Sequence, residues 1–339
     1  MNYQDVKKEA KKNIGPYCKV CPVCNGIACR GVIPGPGGKG SGQVFVRNYS
    51  ALQDIKVNMN TLYERGPVDT SADFFGHEVS LPVYAAPVGG VKIHYSDLYD
   101  DLTYSQEIIK GCREAGVIGF TGDGADDEVF AGTIEAIKQA EGLGVPTIKP
   151  WEMPLILKKL EMANNAGVTA IAMDIDAAGL AFLAQQGKPV GPLSLDMLCE
   201  ITQATDKPFI VKGVMTAQAA ELAIKGGASG IIVSNHGGRV LDETPSSVEV
   251  LEDIVKAVNG RIKVFVDGGI RSGIDIFKVL ALGADGVLIA RPFTIAAYGG
   301  GAQGVQAYVN QLRSELENVM LMTGAKSLDE ITRDKIWMK

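Results

Sequence analysis

Short runs rich in Val and Ile recur along the chain, each closed by a polar or glycine-rich turn and followed by a stretch of helical periodicity. The runs are Leu81–Ala86, Val117–Phe120, Pro146–Lys149, Ala170–Met173, Pro208–Val211, Gly230–Val233, Lys263–Val266 and Gly286–Ile289. Unbroken apolar runs this short suit strands buried on both faces, as parallel strands are. The stretches Tyr104–Ala115, Val129–Glu141, Pro154–Ala166, Ser194–Thr205, Ala217–Lys225, Ser247–Val258 and Gly273–Leu282 read as the intervening helices, with a last one near Gln306–Met322. Strand, turn and helix repeated in this way predict an α/β fold, a (β/α)8 TIM barrel. The rival, a doubly wound sheet, requires Gly-x-Gly-x-x-Gly after its first strand. Pro87-Val88-Gly89-Gly90 does not supply it. The expected division is an N-terminal Cys/Gly-rich extension over residues 1–43 and a barrel domain over 44–339.

The residues at the run ends are Pro87/Val88, Thr121, Lys149, Asp174, Lys212, Ser234 to Arg239, Asp267 and Arg291, most of them polar or charged. In a barrel these ends converge on one mouth, where active sites sit. The stretch Ser234-Asn235-His236-Gly237-Gly238-Arg239-Val240-Leu241-Asp242 is the most informative of them. An imidazole exchanges a proton near neutral pH. Arg239 offers a planar fork for a carboxylate, and Gly237 and Gly238 let backbone approach a bound molecule. Asp267-Gly268-Gly269-Ile270-Arg271-Ser272-Gly273 and Ala290-Arg291-Pro292, after the seventh and eighth strands, have the character of phosphate-binding turns.

Composition changes this picture little. The 339 residues are 46% hydrophobic with 41 glycines, enough for a large core and many tight turns. A net charge of −6 gives no reason to expect nucleic acid or an anionic membrane as partner. No apolar run reaches transmembrane length, and Met1–Lys12 is charged, so a soluble, cytoplasmic protein is expected. Lys7, Lys8, Lys11 and Lys12 read as a solvated helical face, and a homo-oligomer is expected.

The six cysteines do change it. Cys18, Cys21, Cys24 and Cys29 fall within twelve residues at spacings x2, x2 and x4. Such clustering in a cytosolic chain suggests metal rather than disulfides. A 4Fe–4S cluster suits three thiolates at i, i+3 and i+6 with a fourth near. Zinc in a four-thiolate site and incidental thiols remain the alternatives. Cys112 and Cys199 are expected to be core thiols, and Gly31 to Gly42, with six glycines and two prolines, a flexible cover over the mouth.

From about Val44 to Ile331 the chain resembles the FMN-dependent (S)-2-hydroxy acid oxidases and dehydrogenases, the family of glycolate oxidase, lactate oxidase and flavocytochrome lactate dehydrogenases. The resemblance rests on Ser234–Asp242, Asp267–Gly273, Arg291-Pro292, the Lys212 strand end and the closing stretch Met322–Ile331. It implies His236 as the base, Arg239 as the anchor of the substrate carboxylate and Asp176 as the carboxylate that orients the His. It implies Lys212 as the cation beside the flavin N1–O2 edge. Ala86, Pro87, Val88 and Gly89 would lie along the flavin ring, with Thr121 and Ser234 also in contact with the cofactor. Asp267, Gly268, Gly269, Ile270, Arg271, Ala290 and Arg291 would meet its ribityl chain and phosphate.

Departures from the family accompany it. Lys149-Pro150-Trp151 stands where the family has a Gln followed by a Tyr, so a Trp151 in the substrate pocket brings no phenolic hydroxyl. Asp174 replaces a usual Thr, and an exchanged salt bridge with Lys149 at the flavin edge is expected. The family's second substrate Tyr has no match in Gly35–Gly42, and its long lid shrinks to about Ala177–Pro192.

The resemblance therefore implies oxidation of a small 2-hydroxy acid to the 2-oxo acid, the α-hydrogen passing as hydride to flavin N5, with the electron acceptor open. The alternatives are a flavin-dependent reductase, an isomerase of the type 2 isopentenyl diphosphate kind, and a non-catalytic flavin or metal sensor.

Overall fold

The eight apolar runs form eight parallel strands that close on themselves. In this computed structural model, which describes residues 2–180, 183 and 187–338, three short strands precede the barrel: β1 (Lys56–Val57), β2 (Ala72–Phe74) and β3 (His77–Val79). The barrel strands are β4 (Val83–Ala85), β5 (Ile118–Thr121), β6 (Val145–Ile148), β7 (Ile171–Asp174), β8 (Phe209–Val214), β9 (Gly230–Val233), β10 (Lys263–Asp267) and β11 (Gly286–Ile289). Each pairs with the next, and β11 pairs with β4 through Val287–Val83, Leu288–Tyr84 and Ile289–Ala85 to close the ring. Strand β12 (Ile336–Trp337) returns antiparallel to β1.

Inside the ring, side chains fill the lumen as alternation in a tilted strand dictates. Tyr84, Phe120, Ile210, Ile232, Phe265 and Leu288 are all buried there. The β2–β3 hairpin closes the floor: the Phe74 ring lies 4.7 Å from that of Tyr84 and 5.6 Å from that of Phe265. Each such side chain contributes about 1.5–3 kcal/mol by leaving water. A plugged floor leaves the opposite mouth as the place for chemistry.

Two helices outside the repeat position the site. Helix α1 (Tyr3–Asn13) lies on the long helix Arg291–Thr323, where an added Cβ on Gly299 would stand 2.1 Å from the Val6 carbonyl oxygen. Its Lys8 and Lys12 pair with Asp5 and Glu9 in solvent, the polar face expected of it. Helix α2 (Gln43–Asp54) packs over the turn that follows β10; a Cβ on Gly269 would lie 1.9 Å from the Asn48 carbonyl oxygen.

Three expectations are corrected. The last helix begins at Arg291 rather than near Gln306, because Gly300 and Gly301 kink it instead of ending it. Cys199 is only half-buried, since its helix faces solvent there, whereas Cys112 is a core thiol. The Gly35–Gly38 segment is buried, not a loose cover, because two arginines and Lys39 tie its backbone to the barrel. The short lid expected over 177–192 lies partly outside the described residues; its described start, Ile175–Gly179, is a 3-10 turn.

Candidate functional site

Charge concentrates at the carboxyl ends of four neighbouring strands. Asp174 ends β7, Lys212 lies in β8, Ser234 follows β9 and Asp267 ends β10; all four are buried. The Lys212 ammonium lies 2.9 Å from Asp174 Oδ1 and 3.7 Å from Asp267 Oδ2. Lys149, from the end of β6, approaches the other Asp174 oxygen at 3.8 Å. The sequence-expected Lys149–Asp174 pair is thus one arm of a bridge in which a single carboxylate faces two cations. Burial alone would raise the Asp174 carboxyl, but Lys212, His236 and Lys149 hold it well below the usual carboxylate range. Burial would likewise lower Lys212, and Asp174, Asp176 and Asp267 reverse that, leaving a firmly protonated ammonium. Asp267 is pushed up by burial despite Lys212.

A second pairing sits directly above. Asp176 Oδ1 lies 3.0 Å from His236 Nδ1. If Nδ1 donates to that carboxylate, Nε2 carries the lone pair and faces the mouth. His236 (φ 57°), Gly237 (φ 62°) and Gly238 (φ 79°) are three successive left-handed residues. This conformation turns the imidazole back over the strand end, and a non-glycine residue holds it only where contacts insist. Here the insistence is visible. The His236 N–H donates to Ser234 Oγ (3.0 Å), which in turn donates to Asp267 (2.9 Å). Asn235 fixes the turn from below through a buried reciprocal amide pair with Asn48 of α2, at 2.8 and 2.9 Å.

Arg239 reaches toward the same mouth, though not freely. Its Nη1 donates to the carbonyls of Gly35 (2.6 Å) and Gly37 (2.8 Å). The Nη2–Nε edge makes no hydrogen bond among the described residues. Burial, then the neighbouring Arg291 charge, pulls its guanidinium down to about 10. Arg291 Nε donates to Pro36 (2.8 Å) and its Nη2 to Gly237 (3.1 Å), while its guanidinium lies 3.7 Å from the centre of the Phe45 ring. Arg271 donates from Nε to the Cys24 carbonyl at 2.9 Å.

Four buried polar atoms at this end of the barrel have no hydrogen-bond partner among the described residues: Thr121 Oγ1, Asp176 Oδ2, Asp267 Oδ1 and Arg271 Nη2. Orphans of this kind cost free energy unless something satisfies them. They follow β5, β7 and β10 at the carboxyl end of the barrel, where a ligand would satisfy them. Ala86, Pro87, Val88 and Gly89 border it after β4, interlocked with the next strand end: a Cβ on Gly89 would stand 2.9 Å from the Asp123 carbonyl. Gly268, Gly269 and Ile270 follow β10 and Ala290 follows β11, with the two glycines packed against Asn48 of α2.

Trp151, expected in the substrate pocket, is buried just past the end of β6. Its indole N–H donates to Asp123 (2.6 Å), a buried carboxylate that also binds Lys159 (2.7 Å) and the Lys149 N–H (3.1 Å). The ring's one polar atom is therefore committed to Asp123, which follows β5 at the same end of the barrel. Asp123, Asn48 and Lys39 were not singled out in the sequence; Lys39 Nζ binds the carbonyls of Gly179 and Val240. His94 was missed as well. It accepts a hydrogen bond at Nδ1 from the Gly35 N–H (3.2 Å), and burial, then Arg239, Lys149 and His236, press it down to about 4. Cys18, Cys21, Cys24 and Cys29 line one pocket beside Arg291.

The chain matches the family model of the FMN-dependent dehydrogenases over residues 36–188 and 181–338. It is 50% identical over 327 residues to glycolate oxidase 1 of Zea mays, with 85% of this chain and 86% of the relative covered. A peroxisomal (S)-2-hydroxyacid oxidase of Arabidopsis thaliana is 28% identical over 329 residues, covering 88% and 90%. Among solved structures, a mandelate oxidase variant with 2-hydroxy-phenylacetamide superposes with a TM-score of 0.82 at 27% identity, over 100% of this chain and 98% of that one. A flavocytochrome b2 variant with pyruvate gives 0.77 at 26%, over 89% and 80%. The isomerase alternative finds no support among these relatives.

Proposed function

This chain belongs to the FMN-dependent dehydrogenase family, and we propose that it oxidises a small 2-hydroxy carboxylate to the corresponding 2-oxo acid. The observation that carries this reading is the Asp176–His236 pair, set 3.0 Å apart at the same mouth as Arg239. A positioned base beside a carboxylate fork is what a 2-hydroxy acid needs, and little else requires both.

The residues present fit FMN. Arg271 Nη2 and the glycine turn Gly268–Gly269 offer donors to a phosphate, and Thr121 Oγ1 and Asp267 Oδ1 offer partners to ribityl hydroxyls and ring edge; the three side-chain atoms are otherwise unpaired among the described residues. Lys212, Lys149 and Ser234 border the same space. Bound there, FMN supplies the acceptor for the two electrons of the substrate Cα–H bond.

The protein's own part is positional and acid–base. The free Nη2–Nε edge of Arg239 takes the substrate carboxylate, which orients the hydroxyl toward His236 Nε2. That nitrogen removes the hydroxyl proton as the C=O bond forms. Asp176 holds the imidazole by its other nitrogen and stabilises the cation that results. Lys212, kept protonated by three carboxylates, maintains positive charge where the site becomes electron-rich. Cysteines clustered at metal-binding spacing rather than as disulfide pairs suit a reducing compartment, which favours the cytoplasm.

The test is anaerobic mixing of FMN-loaded protein with a panel of 2-hydroxy acids of both hands. Loss of the oxidised flavin absorbance with one hand of one small acid, and formation of the 2-oxo acid in equal amount, is expected. Reduction by none of the panel, with FMN bound at one per chain, overturns the substrate class.

A further inference from the structure

The pocket formed by Cys18, Cys21, Cys24 and Cys29 is a site of its own, and we propose that it binds a 4Fe–4S cluster through these four thiolates. The site lies outside the segment that carries the family resemblance and stands independently of the substrate reading.

Three observations carry it. The first is convergence: the four cysteines line a single pocket together with Arg291 and Ile295, all are half-buried, and none forms a disulfide. Four thiols that share one opening form a ligand set for a cation.

The second is construction. The segment is held by close packing that only glycine permits at two points. A Cβ on Gly26 (φ +86°) would strike the Phe45 ring at 2.7 Å, and one on Gly37 would lie 2.1 Å from the Cys29 carbonyl oxygen. Arg271 donates to the Cys24 carbonyl at 2.9 Å, so the barrel itself fixes the middle of the cysteine loop. Chain this constrained presents its sulfurs in a set geometry.

The third is the geometry and charge of the set. A single tetrahedral zinc at about 2.3 Å from each thiolate would draw the sulfurs to within about 4 Å of one another. Among the described residues no three of these sulfurs lie within 4.8 Å of each other. The four irons of a cubane take thiolates set wider apart than a single zinc does, so a 4Fe–4S cluster suits the set better than one zinc ion. Four thiolates around such a cluster leave net negative charge, and the guanidinium of Arg291 lines the pocket to offset it. Arg291 also binds the Gly237 carbonyl beside His236, so the proposed cluster and the redox site share one side chain.

Iron and acid-labile sulfide analysis of the whole protein, purified without oxygen, tests the site, together with low-temperature electron paramagnetic resonance after dithionite reduction. About four irons and four sulfides per chain are expected, with the signal of a reduced cluster. The double variant Cys21→Ser/Cys24→Ser should lose both, while Cys199→Ser, whose half-buried thiol lies on an outer helix, should keep them. Zinc at one per chain without sulfide, or the full set of free thiols with no metal, overturns the proposal in the parent protein, whether or not the double variant folds.

Discussion

A Cβ built on Gly213 would stand 2.7 Å from the Cβ of Asp176. Gly213 sits in β8 at φ +105°, at the irregularity between Lys212 and Val214 where the register with β9 slips. The bulge does two things together. It turns Lys212 toward Asp174, and it leaves a hollow into which Asp176 drops to reach His236. Bulges at the rims of barrels commonly re-aim side chains in this way. The orientation of the base is thus set by a residue on a different strand that has no side chain.

Gly213→Ala is therefore expected to impair turnover through geometry alone. The added methyl must displace Asp176, and the positive φ disfavours it further. A displacement of about 1 Å in the orienting carboxylate costs on the order of 10²-fold in rate. The loss should fall on kcat with FMN content unchanged. Steady-state kinetics beside the flavin spectrum decide it, and a parental kcat would show that Asp176 tolerates the intrusion.

His236→Ala is expected to lower kcat by about 10²–10⁴, the usual contribution of a positioned acid–base group. Asp176→Asn keeps the shape but offers Nδ1 a donor or a neutral acceptor, and about 10²-fold is expected. Because the two act as a unit, the double variant should be hardly slower than His236→Ala. Multiplicative losses would mean that Asp176 acts on something other than His236.

Much of this architecture is legible in the sequence because buried parallel strands are unbroken apolar runs. Gly230–Val233 and Gly286–Ile289 are strands over the residues the pattern marks, and the helices Ala217–Lys225 and Ser247–Val258 begin and end where periodicity says. What is not legible depends on contacts between distant segments. Nothing near Asn48 announces that its amide will pair with Asn235, 187 residues away. The Gly299–Gly301 run reads as a helix breaker, yet tertiary packing against α1 carries the helix through it with a kink. The family resemblance alone puts Trp151 in the substrate pocket. Only the structure shows Asp123 capturing its indole N–H.

Arg239→Lys should separate the two duties of that side chain. The guanidinium holds the Gly35–Gly37 carbonyls with Nη1 and leaves its other edge for a carboxylate. An ammonium is a point donor and cannot serve both directions with fork geometry. KM for the 2-hydroxy acid is expected to rise by about 10–10²-fold, on the order of one to two lost charge-assisted hydrogen bonds. Limited proteolysis should also cut within residues 35–42 sooner than in the parent. An unchanged KM with accelerated cleavage would assign Arg239 to the loop and leave the carboxylate to another cation.

His94 makes the fold sensitive to acid. Its imidazole is pressed from the ordinary 6.5 to about 4 by burial first, then by Arg239, Lys149 and His236. In the folded protein it is neutral and accepts the Gly35 N–H, a bond that a proton on Nδ1 abolishes. The unfolded chain protonates the same residue near its ordinary value. Between about 6.5 and about 4 the unfolded state therefore binds more protons, so stability falls as pH drops through this window. It levels off below. At pH 5 the penalty reaches about 2 kcal/mol at most, because one pKa unit is worth about 1.4 kcal/mol. Buried carboxylates also titrate toward the acid end, so the test compares two proteins. Urea midpoints of the parent and of His94→Gln, measured from pH 7 to pH 4, isolate the imidazole, since glutamine does not titrate. The parent should lose stability more steeply across the window, and the variant should begin less stable and fall less. Parallel profiles would mean that His94 takes up its proton without penalty, and that the Gly35 segment is held by Arg239 and Arg291 alone.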